Sequence, residues 1–183
     1  MTERQLLDEA QAIVADLALL EVTRRFGRAE LVGSVALDLI VKRDIDVHLL
    51  IGTTDLLAVA DGIYHVLLDH PRVREVRITD WRAEGGVKIG IDAYPGPSGD
   101  WSIDIWITDR AETTAFDETR RLRGRLTEEH RAAILAIKRA YHARGALRDG
   151  ISKRIYEAVV DKGVRSEAEF LRYLEWTRRG SLV

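Results

Sequence analysis

Polar and apolar side chains alternate from Asp44 onward within the segment 43–51, which is the period of a β-strand with one buried face. In such a strand Asp44, Asp46 and His48 share one face, and the other face is apolar (Ile45, Val47, Leu49 and Ile51). Two carboxylates this close raise each other's pKa, so the pair is unfavourable without a partner. Mg²⁺ relieves the repulsion, because it binds oxygen ligands and commonly takes one or two carboxylates together with phosphates. The segment therefore predicts a strand with core on one side and a metal site on the other.

A third carboxylate lies in a second apolar strand, predicted over 101–108. Asp104 stands between two isoleucines that face the core, and it shares the opposite face with Ser102 and Trp106. An acid in that position suits a further metal ligand on a neighbouring strand better than it suits stability. Trp106 on the same face is either an acceptor-binding side chain or a half-buried aromatic residue at a domain seam.

Asp92 is an alternative to Asp104 as the third acid. It follows an apolar residue in the strand predicted over 87–94, and the turn at 95–99 predicts that this strand forms a hairpin with 101–108. Asp104 is preferred because both of its neighbours are β-branched and apolar. Asp92 is then expected to contact the acceptor.

These elements together resemble the signature of the nucleotidyltransferase superfamily, which includes DNA polymerase beta, poly(A) polymerases and antibiotic-adenylylating enzymes. The order is Gly33-Ser34, nine residues, Asp44-Ile45-Asp46 on an apolar strand, and later Asp104 on another. The resemblance is to small bacterial members similar to the antibiotic-modifying ones. It implies an α/β (α+β) fold, with a mixed sheet and flanking helices followed by a C-terminal helical bundle.

The resemblance also implies roles for these residues. Asp44 and Asp46 would hold two Mg²⁺ ions, with Mn²⁺ as an alternative, and Asp104 would share one ion and act as the general base. Gly33 and Ser34 would cradle the β- and γ-phosphates, since glycine permits close approach and the following short helix presents N–H groups. The implied reaction is attack of an acceptor hydroxyl on the α-phosphorus of Mg·NTP, most simply ATP, with release of pyrophosphate.

The helical tail adds three nucleotide-binding candidates by the same resemblance. Lys138 and Ser152 match positions that contact the triphosphate, and Tyr156 matches a position near the base. Tyr156 lies four residues after the serine, whereas in uridylyl-transferring relatives the aromatic residue is adjacent. The plain alternative is that Lys138 is a solvated helix residue and Tyr156 belongs to the core.

The periodicity predicts a catalytic α/β domain over 1–112 and a helical domain over 113–183. Strands are expected over 29–32, 43–51, 73–79, 87–94 and 101–108. Helices are expected over 3–26, 35–41, 54–68 with Thr54 as its cap, 114–124, 127–143, 151–162 and 166–178.

Charge and composition narrow the function further. The chain has no cysteine, which excludes thiolate metal sites and cysteine nucleophiles, and no apolar run of membrane-spanning length, so a cytoplasmic protein is expected. Residues 1–119 carry 12 Lys/Arg against 22 Asp/Glu, and residues 120–183 carry 16 against 8. A small-molecule hydroxyl is the expected acceptor, because the chain is short. The basic tail supports the alternative, a tRNA or protein acceptor of the toxin–antitoxin type. A non-catalytic nucleotide-binding scaffold is the remaining possibility.

Overall fold

The computed structural model describes residues 1–52, 55–148 and 150–180, which form two compact units, Met1–Thr119 and Arg120–Val183. The boundary between the units falls within a helix, seven residues after the expected boundary at 112. Across the described ranges, no helix is both long and apolar enough to cross a membrane.

The first unit is built on a five-stranded mixed sheet, in agreement with the predicted fold. Its strands are β1 (Gly27–Val32), β2 (Asp44–Ile51), β3 (Arg77–Trp81), β4 (Gly86–Gly96) and β5 (Gly99–Thr108), in the spatial order β1-β2-β5-β4-β3. β2 and β5 run parallel, and the other neighbours are antiparallel. β4 and β5 form the expected hairpin, whereas β3 begins four residues later than the expected start at 73.

One face of this sheet packs against helices and forms the core. The helices are α1 (Glu3–Asp16), α2 (Leu19–Arg24), α3 (Gly33–Ala36) and α4 (Leu56–Leu68). The core is the apolar face predicted for β2 and β5, joined by the buried sides of α1, α2 and α4. The sheet's other face is left for the polar side chains of the alternating strands.

Two predicted helices differ from the structure. The single helix expected over 3–26 is broken, because Ala18 adopts a left-handed backbone (φ 44°) between α1 and α2. The helix expected over 35–41 is instead α3, which begins at Gly33 and ends at Ala36, and Asp38 follows with φ 55°. Thr54 lies outside the described residues, and Asp55 caps α4 by accepting a hydrogen bond from the Ala58 N–H (3.1 Å).

The second unit is helical, as predicted. α5 (Phe116–Arg125) enters it, and α6 (Glu128–Ala143), α7 (Ile151–Lys162) and α8 (Glu167–Gly180) complete it. Its buried residues include Ile134, Ile137, Val159 and Phe170. Asp161 of α7 forms ion pairs with both Arg121 (2.9 Å) and Arg125 of α5, so two of the tail's basic residues share one carboxylate within the unit.

Candidate active site

The predicted carboxylates lie on the sheet face opposite the core. β2 and β5 are parallel, and their register places Asp46 directly opposite Asp104. Asp44 lies two residues earlier on the same face of β2, opposite Ser102. All three aspartates are partly buried. The alternation that predicted the two strands thus also brings Asp46 and Asp104 together.

Gly33 lies against this row. It follows Val32, the register partner of Asp46, and has a positive φ of 62°. A Cβ at this position would come within 3.1 Å of Asp46 Oδ2. Ser34, the next residue, is buried. The predicted phosphate-binding pair is therefore adjacent to the second carboxylate, and glycine leaves the space between them open.

Lysines form ion pairs with Asp44 and with Asp104. Lys42 Nζ lies 2.6 Å from Asp44 Oδ2, and Lys88 Nζ lies 3.2 Å from Asp104 Oδ2. Burial raises the pKa of Asp104 above its ordinary value, and the Lys88 ammonium opposes part of that rise. A raised pKa strengthens Asp104 as a proton acceptor, which is what a general base requires.

The oxygen donors of this site fit a hard divalent cation by their chemistry. In the part of the chain that the structure describes, however, no three His, Asp or Glu side chains are grouped closely enough to hold a metal ion as they stand. In this arrangement Lys42 pairs with one oxygen of Asp44 and Lys88 with one oxygen of Asp104.

Asp92 occupies a different environment. The register of β4 with β5 shifts between Ile91 and Tyr94, and the exposed Asp92 carboxylate forms an ion pair with Arg77. A cavity of about 280 Å³ opens beside Asp46 and Asp104, and Asp92 is not among its lining residues (Asp46, Val47, His48, Lys88, Asp104, Trp106 and Thr113). This geometry favours Asp104 over Asp92 as the third acid.

His48 and Trp106 form the row next to the carboxylates. They are register partners on β2 and β5, and both line the cavity. His48 Nδ1 accepts a hydrogen bond from the backbone N–H of Ala115 (3.0 Å), and burial lowers the pKa of His48 to about 4. His48 is therefore neutral at physiological pH. The Trp106 indole lies over Gly86, where a Cβ would come within 2.4 Å of it.

Lys88 and Thr113 also line the cavity, although neither was predicted as a site residue. Lys88 could have been found from the alternation of the segment 87–94, which places it on the polar strand face with Asp92. No comparable signal exists for Thr113, because it lies in a short 3₁₀ turn after β5.

The three candidates of the tail lie in the second unit. Lys138 is only 1% exposed, so it is not a solvated residue, and its ammonium donates to the Tyr156 hydroxyl (3.0 Å). Tyr156 is buried, as the core alternative expected, and Ser152 is half-buried in the first turn of α7. Lys138 and Tyr156 are thus brought together, and their contact with a nucleotide stays a prediction.

The similarity of this chain to known proteins lies in its fold. No family model matches the chain, and no curated protein matches it. A solved cytoplasmic RNA terminal U-transferase matches with a TM-score of 0.62 and 18% identity, covering 84% of this chain and 47% of that one. The GLD-2/RNP-8 complex matches with a TM-score of 0.62 and 13% identity, and the match covers 85% of this chain and 59% of that one. A mutant Cid1 poly(U) polymerase bound to MgATP matches with a TM-score of 0.60 and 18% identity, and the match covers 77% of this chain and 44% of that one.

These likenesses confirm the fold that the motif predicted, that of the polymerase beta-like nucleotidyltransferases. The chain spans about half the length of the proteins it resembles. Two of them are described as an RNA terminal U-transferase and a poly(U) polymerase, so the comparisons do not support the small-molecule acceptor expected from the sequence.

Proposed function

We propose that this chain is a metal-dependent nucleotidyltransferase, which moves a nucleoside monophosphate from an NTP to an acceptor hydroxyl. The observation that carries the proposal is the row formed by Asp46 and Asp104, opposite each other on parallel strands at the wall of a cavity. Gly33 lies directly against this row, where a Cβ would come within 3.1 Å of Asp46 Oδ2. A scaffold that only bound a nucleotide would gain nothing from burying the Asp104 carboxylate beside a second acid.

Each residue has a definite role in this reaction. Asp44, Asp46 and Asp104 would hold divalent cations, which when bound would neutralise the carboxylates and the charge on the transferred phosphoryl group. Asp104 takes the proton from the acceptor hydroxyl as its oxygen bonds to the α-phosphorus, and the bond from that phosphorus to pyrophosphate breaks. Gly33 and Ser34 bind the β- and γ-phosphates. Mg²⁺ is the expected ion, and we propose that two such ions bind at the site.

The favoured acceptor is the terminal hydroxyl of an RNA strand. Support comes from the structural neighbours, which include a U-transferase described as acting on RNA termini. The second unit also carries 16 Lys/Arg against 8 Asp/Glu over residues 120–183, and such a surplus attracts a polyanion. Lys138, Ser152 and Tyr156 are proposed to contact the nucleotide, with ATP tested first among the four NTPs.

Ligand-induced stabilisation tests nucleotide binding independently of the acceptor. Thermal unfolding is recorded with each NTP, with and without Mg²⁺, for the wild type and Asp46→Ala. A ligand at about 100 times its dissociation constant adds roughly 2.7 kcal/mol to the free energy of unfolding. The proposal expects a Mg²⁺-dependent rise in the midpoint with at least one NTP, absent in Asp46→Ala. A rise of equal size in the variant, or none with any NTP, contradicts it.

A further inference from the structure

Beside the carboxylates lies a second row of side chains that the proposed chemistry does not use. His48 of β2 is opposite Trp106 of β5, and Trp106 is opposite Lys88 of β4. We call these three residues the donor row. The adjacent row along the strands is Asp46, Asp104 and Gly90. Same-face rows in a sheet are about 7 Å apart, so the donor row is one step away from the reacting centre.

His48 is fixed as a hydrogen-bond donor by its surroundings. Its Nδ1 accepts from the Ala115 N–H (3.0 Å), so the neutral ring carries its proton on Nε2. No described residue accepts a hydrogen bond from that Nε2, and the atom is not fully buried. The Nε2–H group is therefore open for a ligand.

Trp106 contributes a donor that has no partner. Its indole Nε1 is the one buried side-chain nitrogen or oxygen without a hydrogen bond among the residues that the structure describes. A buried donor left unsatisfied is unfavourable to the folded state, so its presence requires a reason. Trp106 is among the residues that line the cavity, so a ligand bound there would lie beside the indole.

Lys88 supplies positive charge to the same row. Its side chain is 38% exposed and lies 3.2 Å from Asp104. A cation that neutralised Asp104 would release the Lys88 ammonium toward the cavity. The donor row then offers two neutral N–H groups and one ammonium, and none of these three atoms can accept a hydrogen bond.

We infer that the donor row binds the anionic oxygens of the phosphodiester next to the acceptor's terminal hydroxyl. This inference rests on the proposed function and names the acceptor's chemistry: a polyanion such as RNA, held so that its end lies at Asp104. A row composed of donors complements phosphate oxygens, which accept hydrogen bonds. It does not complement the ammonium groups of a polycationic small molecule, which can only donate.

The test is an NMR experiment on the full ¹⁵N-labelled chain with Mg²⁺ and no NTP, so that it does not depend on catalysis. The probe is a dinucleoside monophosphate with a free 3′-hydroxyl, compared with the uncharged nucleoside. The inference expects the indole N–H of Trp106 and the Nε2–H of His48 to shift with the dinucleotide only. The two resonances are assigned from their loss in Trp106→Phe and His48→Asn. The control is the indole N–H resonance of Trp81, which is exposed on β3 and should not shift.

Two His48 variants separate binding from folding. His48→Asn keeps an acceptor for the Ala115 N–H but has no donor at the Nε2 position, whereas His48→Gln carries an amide that reaches that position. The Kd for a short RNA should rise on the order of tenfold in His48→Asn and in Lys88→Met, as one charge-assisted hydrogen bond is lost, with recovery in His48→Gln.

Three results would overturn the inference: equal shifts with the nucleoside, no shift at millimolar dinucleotide, or unchanged RNA affinity in Lys88→Met. RNA extension that is unaffected in Lys88→Met would leave the proposed function standing without this subsite. If the dinucleotide shifts the Trp106 and His48 resonances but the chain releases no pyrophosphate, the subsite is supported and the proposed function is contradicted.

Discussion

Gly33 offers a perturbation whose two effects can be separated. Its φ of 62° is costly for any residue with a Cβ, and the Cβ of alanine would lie 3.1 Å from Asp46 Oδ2. Gly163, at the end of α7, has a similar φ of 72° but has nothing within 4 Å of a Cβ. Gly163→Ala therefore reproduces the backbone cost of Gly33→Ala without the contact to the carboxylate.

The left-handed backbone costs an alanine about 1–2 kcal/mol, so both variants should lose that much free energy of unfolding. For a chain of this size each kcal/mol lowers the midpoint by about 2–4 °C. Only Gly33→Ala also pushes the Asp46 carboxylate, by a few tenths of an ångström. Misplacement by a full ångström can cost about 100-fold in rate, so a loss of about tenfold in kcat is expected for Gly33→Ala and none for Gly163→Ala.

Urea unfolding followed by circular dichroism measures the stability of both variants, and pyrophosphate release under saturating NTP measures their turnover. Activity is compared at a temperature at which both variants are fully folded. Equal turnover in the two variants, at equal loss of stability, would refute the placement of Gly33 beside the working carboxylate.

Two further variants test the charges around the sheet. Lys88→Met should tighten Mn²⁺ binding several-fold, measured by electron paramagnetic resonance, because no ammonium competes for Asp104; unchanged or weaker binding contradicts this. The Tyr94 hydroxyl and nearby cations hold the pKa of Asp16 below its ordinary value. The Asp16 carboxylate therefore stabilises the fold fully at a pH above the ordinary value, and this contribution is lost as the pH falls through the lowered native pKa. Asp16→Asn should therefore be less stable at neutral pH, by about 1 kcal/mol or less given the exposure of the pair, and should match the wild type in strong acid. A difference that persists in acid would show that the charge is not its cause.

The sheet and its carboxylates could be predicted because they follow from a period of two. Once Asp44 to Ile51 and the strand of Asp104 are strands with one apolar face, their acids must share the other face. The parallel pairing that sets Asp46 opposite Asp104 cannot be read from either segment, and only the folded sheet shows it. The C-terminal helices were predictable from their apolar spacing alone.

The errors have local backbone causes. Nothing in the apolar pattern of 3–26 marks Ala18, since alanine favours helices and rarely adopts a left-handed conformation. Asp38 also has a left-handed backbone, and it follows the end of α3, the short helix that begins at Gly33. The partners of the acids were also missed: Lys42 and Lys88 are ordinary charged residues in the sequence, and only the folded sheet shows which carboxylate each one neutralises.

Pyrophosphate release tests the central claim most directly. It is measured with each NTP, Mg²⁺ and a short RNA bearing a free 3′-hydroxyl, for the wild type, Asp104→Asn and Asp100→Asn. Asp100 is an exposed acid four residues earlier on β5, so its variant controls for the loss of one negative charge on that strand. The account predicts turnover in the wild type and in Asp100→Asn, and a loss of roughly a thousandfold in Asp104→Asn. Equal turnover in Asp104→Asn and the wild type would contradict it.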